Sequence, residues 1–188
     1  MQRDTERILD EYLAAAARTG DRAAWERLVA RWQPRLLRHA WRLTGHPDLA
    51  RDMAQEAWVE ILRGLRRLDD VTAFPAWAFR IVTRRCARAI RGRQFERIHF
   101  VEVELEAMLP GEQDAAGERA SELAVVRAEM QALPAPQRAA LSLFYLEDLS
   151  VAEISVALDV PPGTVKTRLM HARRKIRARL EGNTDEQD

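Results

Sequence analysis

The run 149–180, LSVAEISVALDVPPGTVKTRLMHARRKIRARL, leaves its backbone few local options. Ser150 followed three residues later by Glu153 predicts a capping box, in which each side chain satisfies an orphan backbone donor at a helix start. Val151, Ile154, Ala157 and Leu158 then form one apolar stripe. The segment Asp159-Val160-Pro161-Pro162 stops that helix and starts another, because proline cannot continue a helix but its fixed φ suits the first helical position. In the second helix Val165, Leu169, Ala172, Ile176 and Leu180 recur at spacings of three and four and mark a buried side. Two short helices around a turn of three or four residues make a helix-turn-helix.

Charge along the second helix points to a partner. Lys or Arg stands at 166, 168, 173, 174, 175, 177 and 179 with no acid between them, more than solubility requires. Phosphate contact explains the excess, so this element is expected to read DNA. A second basic block holds arginines at 80, 84, 85, 88, 91, 93 and 97 against the single acid Glu96. Between the two blocks lie acids at 102, 104, 106, 112, 114, 118 and 122 against Arg119 alone. The formal net charge of +1 thus conceals two DNA-facing surfaces and an acidic connector that DNA repels.

Composition narrows the rest. A chain of 188 residues, 47% hydrophobic and 31% charged, holds one ordinary domain or two small ones. No apolar run approaches the roughly 20 residues that span a bilayer, and the N-terminus lacks the order of a signal peptide, so a cytoplasmic protein without membrane insertion is expected. Cys86 is the sole cysteine, which excludes an internal disulfide and a cysteine-rich zinc site. No nucleophile–base pair, paired carboxylates or metal-ligand cluster is apparent, so no catalytic residue, metal or cofactor is expected, and the chain reads as a non-enzyme.

All tryptophans (25, 32, 41, 58 and 77) fall in the front of the chain, which predicts an aromatic core there. A helix over 21–44 places Trp25, Leu28, Val29, Trp32, Leu36, Ala40 and Leu43 on one face. Gly45-His46-Pro47 breaks it, and Asp48 is expected to cap the next helix, 49 to about 68. That helix would turn Met53, Ala57, Ile61, Leu62 and Leu65 inward and Arg51, Asp52, Gln55, Glu56 and Glu60 outward. A loop over 69–75 precedes a basic helix from about 76 to 92. Residues 1–18 are expected to form an amphipathic helix with Ile8, Leu9, Tyr12 and Leu13 on one side, which packs on the front domain or contacts a regulator. Pro110-Gly111 and Gly117 make the acidic stretch read as a mobile linker. Beyond it, Leu123, Val126, Met130 and Leu133 mark a helix that Pro134-Ala135-Pro136 ends, and a helix over 137–146 leads into the helix-turn-helix.

In this order the segments resemble the extracytoplasmic-function (ECF) sigma factors, the sigma-70 family group 4 that keeps only sigma regions 2 and 4. The closing stretch, LPAPQRAALSLFYLEDLSVAEISVALDVPPGTVKTRLMHARRKIRARL, resembles region 4 almost position by position. AAWERLVARWQPRLLRHAWRLTG resembles region 2.1, DLARDMAQEAWVEILRGL region 2.2, and FPAWAFRIVTRR the passage from region 2.3 to 2.4. The resemblance implies an all-α chain of two small helical domains: an extension at 1–19, region 2 at 20–97, an acidic linker at 98–120, region 4 at 121–181, and a tail at 182–188.

It also implies roles. Asp52, Gln55, Glu56 and Glu60 would dock on the clamp helices of the RNA polymerase β′ subunit, with the β flap as a further polymerase partner. The loop 68–77 would hold a flipped base of the -10 element, with Phe74, Trp77 and Phe79 either reading bases or filling the core. Arg80, Arg84, Arg85, Arg88 and Arg91 would hold phosphates beside the bubble. Arg84 and Arg88 stand where relatives usually carry asparagine and aspartate, so the base read there is open. In the recognition helix Lys166, Thr167, Met170 and His171 would face the groove of the -35 element, with Arg168, Arg173 and Arg174 on phosphates or acids. The first amides near Gly163 and Thr164 would take a phosphate oxygen. Such a chain would direct core RNA polymerase to promoters under the control of an anti-sigma factor. The alternative is a stand-alone helix-turn-helix regulator, which leaves the arginine helix and the acidic face over 52–60 unexplained.

Overall fold

The structure is a computed structural model that describes residues 2–99, 128–130 and 132–184; all but the first two residues of the expected acidic linker, 98–120, lie outside the described residues. In chain order the long helices are α1 (Gln2–Arg18), α2 (Arg22–Thr44), α3 (Pro47–Gly64), α4 (Phe74–His99), α5 (Ala135–Tyr145), α6 (Val151–Leu158) and α7 (Pro162–Thr184). Helices α1 to α4 form the front half, α5 to α7 the rear half.

Local chemistry sets the helix ends. Asp21 caps α2, its carboxylate accepting the Ala24 N–H at 3.0 Å. The other end closes at Gly45, whose φ of 70° few side chains tolerate and whose N–H donates to the Trp41 carbonyl at 2.8 Å. Helix α3 begins two residues earlier than the sequence suggests. His46 is its N-cap and Pro47 its first residue, so Asp48 sits inside the first turn, where its charge favours the helix dipole and pairs with Arg51 at 3.0 Å. The expected end near residue 68 shortens to Gly64, followed by a 3-10 turn at Leu65–Arg67. Helix α4 runs past Gly92 to His99, beyond its expected stop. An isolated helical glycine costs only about 1 kcal/mol, which the flanking turns absorb.

The front core is aromatic, as the tryptophan distribution suggests. Trp32 is fully buried, edge-on to Phe74 at 5.0 Å and tilted against Phe79 at 5.6 Å, while Leu28, Leu36, Ile61 and Val82 complete the packing. Trp25 meets Trp58 edge-on at 5.6 Å, and Trp58 Nε1 donates to Gln33 Oε1. Leu62, expected inward, is 56% exposed, and the buried side of α3 is Leu49, Ala50, Met53, Ala54, Ala57 and Ile61. Helix α1 does pack on α2, but of its expected apolar face only Leu13 is buried. Asp10, Leu13 and Ala14 point inward, whereas Ile8 and Tyr12 are 65% and 64% exposed. The reason is electrostatic: Asp10 takes Arg35 at 3.1 Å and also Arg31, both from α2, and this pairing sets the helix rotation.

The capping box of α6 forms as its spacing predicts. Ser150 Oγ accepts the Glu153 N–H at 3.2 Å, and Glu153 accepts the Ser150 N–H at 2.8 Å. Asp159 ends α6 at a φ of 54°, a left-handed conformation that aspartate tolerates better than most side chains, and Pro162 opens α7. Ile154, Ala157 and Leu158 of α6 meet Val165, Leu169 and Ala172 of α7 in the rear core, with Ile176 partly buried beside them.

The two halves are packed together. Helix α6 lies along α4, α5 lies against α2, and the buried apolar residues of both halves form one continuous core.

Candidate nucleic-acid and protein interface

Helix α4 presents a basic stripe. Arg80, Arg84, Arg88 and Arg91 are all exposed, and their spacings of four, four and three put them on one helical face. Arg85 leaves that stripe. Its guanidinium donates to Glu60 at 2.7 and 3.0 Å and to Glu56 at 2.9 Å, so a residue expected on phosphate bridges instead to two residues expected on polymerase. Hydrogen bonding to Glu60, ahead of that to Glu56, raises the Arg85 pKa and holds the charge in place.

The aromatic candidates divide. Phe74 and Phe79 are both fully buried and touch Trp32, so in this arrangement they are core and offer no face to a base. Trp77 is half-buried at the surface. It lies on Gly64 so closely that a Cβ at that glycine would stand 2.7 Å from Trp77 Cζ2, so the missing side chain makes the seat for the indole. The adjoining loop is shaped by Asp70, which accepts the Thr72 N–H at 2.9 Å and the Thr72 hydroxyl at 2.7 Å. Arg18 of α1 donates to the Leu68 carbonyl at 2.9 Å and pins the other end.

Asp52, Gln55, Glu56 and Glu60 do share one face of α3; the first three are exposed and Glu60 half-buried. Val59 and Leu62 interleave with them and are 46% and 56% exposed. Sequence reasoning missed both. The spacing of Val59 from Asp52, Gln55 and Glu56 was the signal available for one; the inward assignment hid the other.

On α7 the base-facing candidates are well presented. Lys166, Thr167 and Met170 are exposed, Met170 at 56%, and His171 is half-buried. Arg174 is exposed, and Arg168 is half-buried. Arg173 is exposed but has a neighbour: its guanidinium lies over the Phe144 and Tyr145 rings at 5.4 and 5.5 Å, a cation–π arrangement that fixes its direction. Gly163 is open on the surface, while the Thr164 N–H already donates to the Pro161 carbonyl at 2.9 Å and is committed to the turn rather than to a phosphate.

Two buried titratable groups take no part in either face. His39 is enclosed between α2 and α4, its Nε2 3.0 Å from the Thr83 hydroxyl, and burial, aided by the nearby Arg42 charge, lowers its pKa to about 3. Burial pushes the Cys86 thiol up to about 12, so it is protonated and inert at neutral pH. Among the described residues no His, Cys, Asp and Glu side chains gather into a metal-binding group, and no helix is long and apolar enough to cross a membrane.

Comparison with known proteins gives the chain's family. Residues 28–96 match the family model Sigma-70 region 2, and residues 123–176 match Sigma-70 region 4. The chain is 32% identical over 175 residues to the ECF RNA polymerase sigma factor SigE of Mycolicibacterium smegmatis, covering 89% of this chain and 67% of that protein. It is 30% identical over 190 residues to the RNA polymerase sigma-H factor of Pseudomonas aeruginosa, covering 92% and 94%. Among solved structures, CnrH in complex with the cytosolic domain of CnrY is similar at a TM-score of 0.62 and 25% identity, covering 93% of this chain and 98% of that one.

Proposed function

We propose, on the premise that this chain belongs to the ECF sigma factors of the sigma-70 family, how it divides the work of promoter recognition between its two halves. The rear half reads the -35 duplex: the N-terminal part of α7 enters the major groove with Lys166, Thr167, Met170 and His171. Arg168 and Arg174 hold the phosphates that set its register. The front half opens the -10 element. Arg80, Arg84, Arg88 and Arg91 track the backbone along α4, and Trp77 offers the stacking surface for an unstacked base. The acidic face of α3 docks on the polymerase clamp helices, with Val59 and Leu62 as its apolar centre and Asp52, Gln55 and Glu56 as its polar rim.

The observation that carries this reading is the pair of exposed basic helix faces, one in each half, each within its matching family segment. The protein makes and breaks no bonds itself, and it works in the cytoplasm, where polymerase and promoter are. An anti-sigma factor controls it, a reading supported by the shared fold of the sigma factor RpoE of Bartonella quintana, which was solved with the anti-sigma factor NepR.

The test is reconstitution with bacterial core RNA polymerase on a promoter library, with sequencing of transcript starts. The reading predicts a stable complex and selection of promoters with paired -35 and -10 motifs. Failure to bind polymerase, or starts with no shared motif, would refute it.

A further inference from the structure

The outer face of α3 changes sign along its length. Asp52, Glu56, Glu60, Arg63 and Arg67 follow one another at spacings of four, four, three and four, which puts them in one row, with Arg66 beside its end. The row runs through Gly64 into the 3-10 turn, because Leu65 keeps helical angles of φ -56° and ψ -38°. A basic partner that suits the acids would be repelled by the arginines. Arg63, Arg66 and Arg67 are all exposed, and among the described residues none of them forms an ion pair. Glu60, one turn before Arg63, is turned instead to Arg85 of α4 at 2.7 Å. The helix dipole favours a cation in a last turn, which accounts for one such charge and not for three.

The turn that carries these arginines is fixed. Leu65 is buried, the Leu68 N–H donates to the Leu65 carbonyl at 3.1 Å, and Arg18 donates to the Leu68 and Asp69 carbonyls at 2.9 and 3.2 Å. The Asp70 carboxylate is taken by Thr72, and Asp69 is exposed, so the turn keeps an excess of positive charge even with both aspartates counted. The Trp77 indole lies on Gly64, which directly follows Arg63 in the chain. Trp77 also begins the α4 stripe: Trp77, Arg80, Arg84, Arg88 and Arg91 are spaced three, four, four and three apart. The half-buried ring therefore stands between two groups of cations, the stripe on one side and the turn on the other. An aromatic platform within a basic track is what holds a single strand, with a base on the ring and its phosphates on the cations.

We infer that Arg63, Arg66 and Arg67 form a second phosphate site, which holds the backbone of the unpaired -10 strand on the side of Trp77 away from the α4 stripe. The ligand is the phosphodiester chain of single-stranded DNA, and no base is read by these three residues. Guanidinium groups suit it, since each can donate two parallel hydrogen bonds to one phosphate. A paired strand keeps its bases stacked and cannot lay one on the indole, so the site is engaged only once the strand opens. It thereby adds affinity to opened DNA and none to the duplex.

The inference rests on the reading of Trp77 as the stacking surface, and the test separates the two. The chain, in complex with core RNA polymerase, is titrated at several salt concentrations with a forked promoter whose -10 strand is unpaired, and with a paired fragment that carries -35 and ends before -10. Each single-strand phosphate contact contributes about 0.7 to the slope of log affinity against log salt. Arg63→Gln, Arg66→Gln and Arg67→Gln together should make the slope shallower by about 2 on the forked probe and leave the paired one unchanged. The three arginine-to-lysine changes keep the charge and should keep the slope. Trp77→Ala should weaken the forked probe with its slope unchanged, because stacking carries no charge. Should the triple glutamine variant fail to fold, judged by helical circular dichroism, the single changes supply the test, at about 0.7 each. An unchanged slope would overturn the inference. So would an equal loss on both probes, or loss of polymerase binding without DNA, which would give the arginines to duplex or to polymerase. If Trp77→Ala bound the forked probe as well as the unsubstituted chain does, the stacking reading would fail, and the inference with it, whatever the slope.

Discussion

The two basic helices differ in how much of their charge is already used. On α4, Arg80 is paired with Asp159 of the other half and Arg85 with Glu56 and Glu60. On α7, Lys166, Thr167 and Met170 face solvent, and Arg173 rests on two rings of its own half. Both are arginine-rich helices in one chain, yet α4 has two of its arginines paired with acids while Arg84, Arg88 and Arg91 stay exposed. The contrast teaches that a run of positive charge in a sequence marks a capacity for phosphate, and that acids from elsewhere in the fold decide how much is available.

The largest expected effect separates core from reader on the -10 side. Phe74→Ala should lower stability by about 3–5 kcal/mol, as large-to-small changes in aromatic cores do, measured by urea unfolding. Trp77→Ala should cost less stability and should impair strand opening in a reconstituted complex. If Phe74→Ala left stability intact and removed only opening, the assignment of Phe74 to the core would be wrong.

Acid should weaken the front half through His39. Its pKa is about 3 folded against 6.5 for the free side chain, so below pH 6.5 the unfolded chain binds a proton that the native chain refuses. The native state therefore loses up to about 1.4 kcal/mol per pH unit from pH 6.5 down towards pH 3. Thermal unfolding across that range should show the slope, and His39→Leu should flatten it. An unchanged slope would place the acid sensitivity elsewhere.

On the -35 side, Lys166→Ala combined with His171→Ala should cost about 1–3 kcal/mol of discrimination for the correct -35 duplex while polymerase binding holds. Competition binding to matched and scrambled duplexes measures the first, and complex formation with core enzyme the second. Loss of polymerase binding would break the division between the halves.

The smallest effect concerns Arg85, whose partners are half-exposed. Arg85→Gln should change stability by under about 1 kcal/mol, because such pairs are screened by solvent. It should weaken polymerase binding modestly by releasing Glu56 and Glu60 from their set positions, and Arg85→Lys should restore part of it. A defect confined to DNA binding would return Arg85 to the phosphate stripe.

What the sequence disclosed followed from how local each signal was. The capping box at Ser150 and Glu153 and the proline turn are decided within a few residues and form as read, whereas the cap expected at Asp48 falls on His46. The edges of helix faces were less legible. Met53, Ala57, Ile61 and Leu65 turn inward as expected while Leu62 beside them does not, and on α1 the Asp10 pairing leaves Tyr12 outside. The contact between the halves was not legible at all. Glu147 reads in sequence as a surface acid, and only the approach of α2, 112 residues distant at Arg35, makes it a buried one.

The most direct test of the contrast is footprinting on a selected promoter with permanganate probing of unpaired thymines, comparing the free chain with the polymerase complex. The account predicts that the free chain protects the -35 element alone, and that the complex protects both elements and exposes reactive thymines at -10. Protection of both elements by the free chain, or a complex that protects -35 without opening -10, would contradict it.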